Sequence, residues 1–227
     1  MTRLVVWTAL LALPALAAPE KPRVAVLYFD VNHNDPKMQV LRKGLAQMLI
    51  TDLAADPAVT LIERDRLEEV LKELDLQQSK HFDSASSAKI GKLLGTRYQV
   101  AGQITELVGS NDVVFEARII DAERGYAFAA AEKPMRVKAA ASDMFDAEQT
   151  LLQKIAGALA AAEKRAPAEL PKKVGTKVKI ETAVKYSEAL DALDKKDKAQ
   201  ARQKLEQVVK EQPDFLLASM ELDRLMK

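Results

Sequence analysis

The feature that most constrains this chain is a change of period. Met38, Leu41, Leu45, Met48, Leu49 and Leu53 follow helical spacing, and Leu67, Val70, Leu71 and Leu74 do so again. From Tyr98 the spacing becomes two. Tyr98, Val100, Gly102 and Ile104 alternate with Gln99, Ala101, Gln103 and Thr105. After the turn chemistry of Gly109-Ser110-Asn111-Asp112, Val113, Phe115, Ala117 and Ile119 alternate with Val114, Glu116, Arg118 and Ile120. Side chains of a strand point alternately to opposite faces, whereas those of a helix repeat every third or fourth residue, so one chain must carry both element types. The alternating pair predicts an antiparallel hairpin.

The elements around it follow. Val24 to Phe29 is an unbroken apolar run, suited to a strand buried on both faces. Asp35-Pro36 predicts a helix start, with a capping side chain before a proline that needs no amide partner. Val59 to Ile62 predicts a short strand, Asp83 the cap of a third helix, and Gly95 its left-handed end. Extended pieces at Tyr126 to Ala131 and Met135 to Val137 precede a long helix with Met144, Leu151, Leu152, Ile155 and Leu159 on one face. The order β-α-β-α-α-β-β-β-α predicts an α/β fold, a mixed-sheet sandwich with flanking helices.

The N-terminus reads as an export leader rather than structure. Arg3 precedes an apolar run from Leu4 to Leu13, Pro14 breaks it, and Ala15-Leu16-Ala17 supplies the small residues of a cleavage site. Cleavage after Ala17 is expected, giving a periplasmic protein with no integral membrane segment. Charge marks the other joint. Residues 20–162 carry a net −3, 163–180 a net +4 with Pro167, Pro171 and Gly175, and 181–227 a net −1. The expected organisation is a leader at 1–17, an α/β domain at 18–162, a basic linker at 163–180 and a helical tail at 181–227. Lys164, Arg165, Lys172, Lys173, Lys177 and Lys179 make that linker a solvated connector.

In the tail, Ala189, Ala192, Ala201, Leu205, Val208 and Pro213 fall in a frame of about 34 residues from Thr182, resembling a small all-α hairpin of the tetratricopeptide type. A helix from Phe215 to Met226 follows. One such hairpin is too little to stand alone, so it is expected to dock on the first domain or on another chain. Its groove, with Tyr186, Ala189, Ala192, Ala199 and Phe215, is the expected partner-binding site.

Four segments occur in an informative order. They are Val24-Ala25-Val26-Leu27-Tyr28-Phe29, Ile62-Glu63-Arg64-Asp65-Arg66-Leu67, Gly91-Lys92-Leu93-Leu94-Gly95-Thr96-Arg97-Tyr98-Gln99-Val100-Ala101-Gly102, and Arg118-Ile119-Ile120-Asp121-Ala122-Glu123-Arg124-Gly125. Together, over Arg23 to Ala130, they resemble the periplasmic α/β domain of the curli-secretion-channel (CsgG/HfaB) family. The resemblance implies that fold and a role in binding or assembly. Channel members of the family are lipoproteins that build a membrane barrel from extra hairpins. This chain has no cysteine to acylate and only a short connection between Val108 and Val113, so neither lipidation nor the pore is expected.

Composition narrows the chemistry. With no cysteine and only His33 and His81, thiol catalysis, disulfides and multi-histidine metal sites are excluded. Lys+Arg 34 against Asp+Glu 33 leaves no basic surplus for nucleic acid. Ser86-Ser87-Ala88-Lys89 fits Ser-x-x-Lys, but its partner motifs are missing, so a hydrolase is the least favoured reading. Gly91 and Gly95 lack the spacing of a phosphate loop. Glu63-Arg64-Asp65-Arg66 reads as local helix-start charges, and Glu68, Glu69, Glu73 and Asp75 as a solvated acidic face. The expectation is a protein without catalytic, cofactor or metal sites. It would bind envelope proteins as an adaptor in envelope biogenesis or secretion, with self-association into a homo-oligomer compatible with that role. The alternative is a regulator that binds a peptidoglycan synthase or another envelope enzyme.

Overall fold

A computed structural model describes residues 20–32, 36–76, 84–107, 109–122, 126–127, 134–171 and 178–226. Its sheet orders β3 (Thr60–Leu61), β1 (Arg23–Val26), β4 (Tyr98–Glu106), β5 (Asp112–Asp121) and β6 (Tyr126–Ala127). β2 (Asp30–Asn32) also pairs with β4, and β7 (Met135–Ala140) with β5. β1 runs parallel to β3 and β4, β2 runs parallel to β4, and the remaining pairs are antiparallel. The sheet is mixed, as the element order requires.

The β4–β5 hairpin is the backbone of this sheet. Its register runs from Tyr98 opposite Asp121 to Glu106 opposite Val113. Gly109 closes it at φ 82°, and the Leu107 amide donates to the Asp112 carbonyl at 2.9 Å. Only glycine occupies such a backbone conformation without a Cβ penalty.

Two helices cover one face. α1 (Leu41–Leu53) packs on β1, and α4 (Met144–Ala162) lies along β5 and β7. Tyr98 points to that side, where its hydroxyl donates to Glu163 at the end of α4 at 2.6 Å; burial and this carboxylate push its pKa up to about 12. On the opposite face α3 (Ser84–Leu94) lies over Gln99, whose Nε2 donates to the Ser87 carbonyl at 2.7 Å. Gly91 permits this approach, since a Cβ there would stand 2.5 Å from that of Ala122. Gly95 ends α3 at φ 62°, in the expected left-handed conformation. α2 (Arg64–Glu73) packs beside α3 and α1 with Leu67, Val70 and Leu71 buried.

Several boundaries differ from the sequence pattern. The run Val24 to Phe29 is buried throughout, yet the strand stops at Val26 and resumes at Asp30. The Leu27 amide still donates to the Val100 carbonyl at 2.8 Å, after which the chain leaves the ladder. The Phe29 ring then fills the space over Gly102, where a Cβ would come within 2.4 Å of it. A 3-10 turn (Pro36–Val40) precedes α1, β3 is shorter than Val59 to Ile62, and β7 extends to Ala140. Asp35, Asp83 and residues 128–131 lie outside the described residues.

The tail folds as α5 (Ile180–Asp194), α6 (Lys198–Glu211) and α7 (Leu216–Met226). α5 and α6 form the hairpin, the Asp197 carboxylate capping α6 by accepting from the Gln200 amide at 3.0 Å. α7 packs back on α6. The whole tail docks on its own α/β domain through α5 against α1.

Candidate functional site

Two arrangements at this docking seam can serve function. The first is a buried polar cluster. Lys43 on α1 donates to Asp191 at 2.8 Å and to Asp194 at 2.7 Å, both on α5. Arg64 at the start of α2 donates to both Asp194 oxygens at 2.8 and 2.9 Å, and to the neighbouring Asp65 at 2.6 Å. Tyr28, between β1 and β2, donates to Glu68 at 2.8 Å and accepts from Arg64 at 3.2 Å. Lys72 reaches the Asp194 carbonyl at 2.8 Å, and Arg224 on α7 binds Asp65 at 2.9 Å. The break in the first strand thus delivers the Tyr28 hydroxyl to Glu68.

Electrostatics favour the charged forms of Lys43 and Asp191. Burial alone would pull the Lys43 pKa down, but the hydrogen bonds it donates to Asp191 and Asp194 and the charges of Asp194 and Glu68 carry it above its ordinary value. Burial likewise opposes ionisation of Asp191, and its bonds to Lys195 and Lys43 outweigh that, lowering its pKa. Burial drives the Tyr28 hydroxyl well upward, so it stays a neutral donor. Buried ion pairs add little net stability over apolar packing, but removing one partner strands the other. The cluster therefore fixes the tail in one position. Arg64 and Glu68, read from the sequence as local or solvated charges, are buried members of this long-range network.

The second arrangement is an apolar groove of about 250 Å³ where α1, α4 and α7 meet. Met48, Phe145, Phe215 and Leu217 form its floor, and Val178 also lines it. One rim is unusual. Leu216 and Met220, one turn apart on α7, are 68% and 59% exposed. Asp146 and Asp214 stand at the mouth, and Gln149 lines the wall. Gln149 Nε2 donates to Asp52 at 2.8 Å and to Glu148 at 2.9 Å, which fixes the amide and leaves its Oε1 buried without a donor among the described residues.

The residues expected to bind a partner are placed differently. Tyr186, Ala189 and Ala192 are buried in the packing of α5. Phe215 is buried against Tyr186, ring centroids 5.1 Å apart and nearly perpendicular, and also floors the groove. Ala199 alone of the five is exposed, on α6. The hairpin surface that would have been concave and free is occupied by α1 and α7, because a single repeat must bury that face against something. The groove combines α1, α4 and α7, elements far apart in sequence. Its only local signal was the pair Leu216 and Met220, apolar residues on the outer side of a short helix.

Other candidates are quickly placed. Lys89 is exposed one turn after a half-buried Ser86 on α3. His33 and His81 lie outside the described residues, as do Lys172, Lys173 and Lys177. Among the described residues there is no grouping of side chains suited to a metal ion, and no helix is long and apolar enough to cross a membrane. Arg165 of the connector binds the buried Asp56 at 2.5 Å, anchoring the chain just after α4.

No curated protein matches the chain. Among solved structures it is similar to the LpoB C-terminal domain from Salmonella enterica, with 14% identity and a TM-score of 0.40 over 56% of this chain and 87% of that one. It is similar to TolB from Acinetobacter baumannii, with 18% identity and a TM-score of 0.41 over 68% of this chain and 31% of that one. It is also similar to lipoprotein GNA1162 from Neisseria meningitidis, with 13% identity and a TM-score of 0.40 over 61% of this chain and 99% of that one. The family model for the curli production assembly/transport component CsgG matches residues 8–111, starting and ending earlier than the resemblance read from Arg23 to Ala130. The chain thus carries a CsgG-like segment within residues 8–111.

Proposed function

We propose that this protein is a non-catalytic adaptor of the cell envelope, working in the periplasm after its leader is removed at Ala17, and that it acts by binding another protein. The CsgG-like segment supports the setting. The observation that carries the binding role is the groove, an apolar floor beneath the exposed Leu216 and Met220. Exposed apolar surface gathered around a concavity marks an interaction site more often than scattered exposed residues do. The buried Lys43–Asp194–Arg64 cluster locks tail to domain, so the groove is presented on a rigid body and binding need not order it.

The test is affinity capture from envelope extract with the mature protein and with a Leu216→Ser, Met220→Ser double variant. Both positions are exposed, so folding should be little affected. The expected result is a specific set of envelope proteins retained by the wild type and lost by the variant. Identical retention by both would refute the groove as the binding surface.

A further inference from the structure

The groove has a charge character as well as an apolar one. Asp146, Glu148 and Asp214 line it, and no lysine or arginine does among the described residues. Among the described residues no ion pair or side-chain hydrogen bond engages the Asp146 or Asp214 carboxylate, and both residues are exposed. The polar edge of the groove thus offers negative charge.

Size discriminates between occupants. Pockets that enclose a small molecule run from about 300 to 1,000 Å³. At about 250 Å³, with one rim of protruding apolar side chains, this groove accommodates one or two anchoring side chains of a larger body. A lipid surface is disfavoured, because Asp146 and Asp214 would face its phosphates. Met48 and Met220 supply adaptable contact surface, as methionine does where helices are captured.

We infer that the groove captures a basic amphipathic helix, whose apolar side chains enter between Met48, Phe145 and Met220 while its lysines or arginines meet Asp146 and Asp214. This inference rests on the binding role proposed above and specifies the partner's chemistry. Helix-in-groove recognition of this kind uses apolar anchors at helical spacing, with flanking charge setting partner choice.

The test uses two synthetic helical peptides, one with leucines on one face and lysines on the other, the second with glutamate in place of each lysine. Fluorescence anisotropy of labelled peptide against the mature protein is expected to show the lysine peptide binding at least about tenfold tighter at low salt, with the preference shrinking as salt is raised. Asp146→Lys with Asp214→Lys should abolish or invert that preference, and Leu216→Ser with Met220→Ser should weaken the lysine peptide by about tenfold or more. Equal binding of both peptides, or lysine-peptide binding untouched by the variants, overturns the inference. Failure of both peptides, with envelope partners still lost on Leu216→Ser and Met220→Ser, overturns the basic-helix assignment while leaving the binding groove standing. Concentration-dependent self-association that vanishes in the same variant, with neither peptide competing, would identify a second copy as the occupant and likewise overturn it.

Discussion

Gly44 on α1 faces Ser187 on α5 so closely that a Cβ on Gly44 would stand 2.1 Å from the Ser187 Oγ. That hydroxyl is itself held, donating to the Ala183 carbonyl at 2.7 Å, and the residue is fully buried. The tail is therefore seated by a close helix crossing, with the ion cluster beside it.

A sign reversal tests this crossing. Gly44→Ala alone should destabilise the protein by about 1–3 kcal/mol, since overpacking outweighs the gain in helix propensity. In a Ser187→Ala background the obstructing oxygen is gone, and the same change should be neutral or stabilising. Urea denaturation of the four proteins of this cycle measures the coupling.

Asp194 holds both Arg64 and Lys43, and the Arg64 side chain is only 2% exposed. Asp194→Ala should cost about 3–5 kcal/mol, because it removes the buried carboxylate shared by Lys43 and Arg64 and leaves the guanidinium only the half-exposed Asp65. Arg202→Ala, which breaks the exposed Arg202–Glu206 pair, should cost no more than about 1 kcal/mol. Chemical denaturation with both variants distinguishes the two kinds of pair.

Acid should loosen the tail. The folded-state pKa of Asp191 is lowered, so its contribution is present above the unfolded carboxylate pKa of about 3.9 and is lost as pH falls through the folded value. The folded-state pKa of Lys43 is raised, so its contribution is complete below about 10.4 and is lost only above that, in alkali. Stability followed from pH 7 downward should show an acid limb, and Asp191→Asn should flatten it. An unchanged limb would show that Asp191 does not couple tail to domain.

Glu221 predicts the opposite sign. Burial raises its pKa, with Asp65 and Asp194 adding to the effect against Arg224 and Arg64. Its ionised form therefore burdens the folded state at neutral pH, and protonation relieves it. Glu221→Gln should raise the melting temperature at pH 7, with the difference disappearing toward pH 4. Thermal scans at the two pH values check it. The neighbouring Tyr186 hydroxyl is buried without a hydrogen-bond partner among the described residues, so Tyr186→Phe should be close to neutral.

Gly102 is the position where backbone packing leaves least room. An added Cβ would meet the Glu116 carbonyl at 2.3 Å and the Phe29 ring at 2.4 Å. Gly102→Ala should cost about 1–3 kcal/mol or more, read as a lower denaturation midpoint.

What the sequence determined alone was local. Alternation set the β4–β5 hairpin, helical stripes set α1, α2 and α4, and Gly95 set the end of α3, because each follows from the direction in which neighbouring side chains point. Tertiary structure decided where charge and surface matter. Lys43 and Arg64 have the pattern of solvated helix residues, and they are buried because Asp191 and Asp194 arrive from an element more than a hundred residues away, while Glu68 is covered by the Tyr28 hydroxyl. Tyr186, Ala189, Ala192 and Phe215 have the pattern of an open repeat groove, and they are covered because a lone hairpin buries that face on the nearest apolar surface, α1 and α7. The groove beneath Leu216 and Met220 exists only once three distant helices converge, and no spacing within one segment encodes a space between segments.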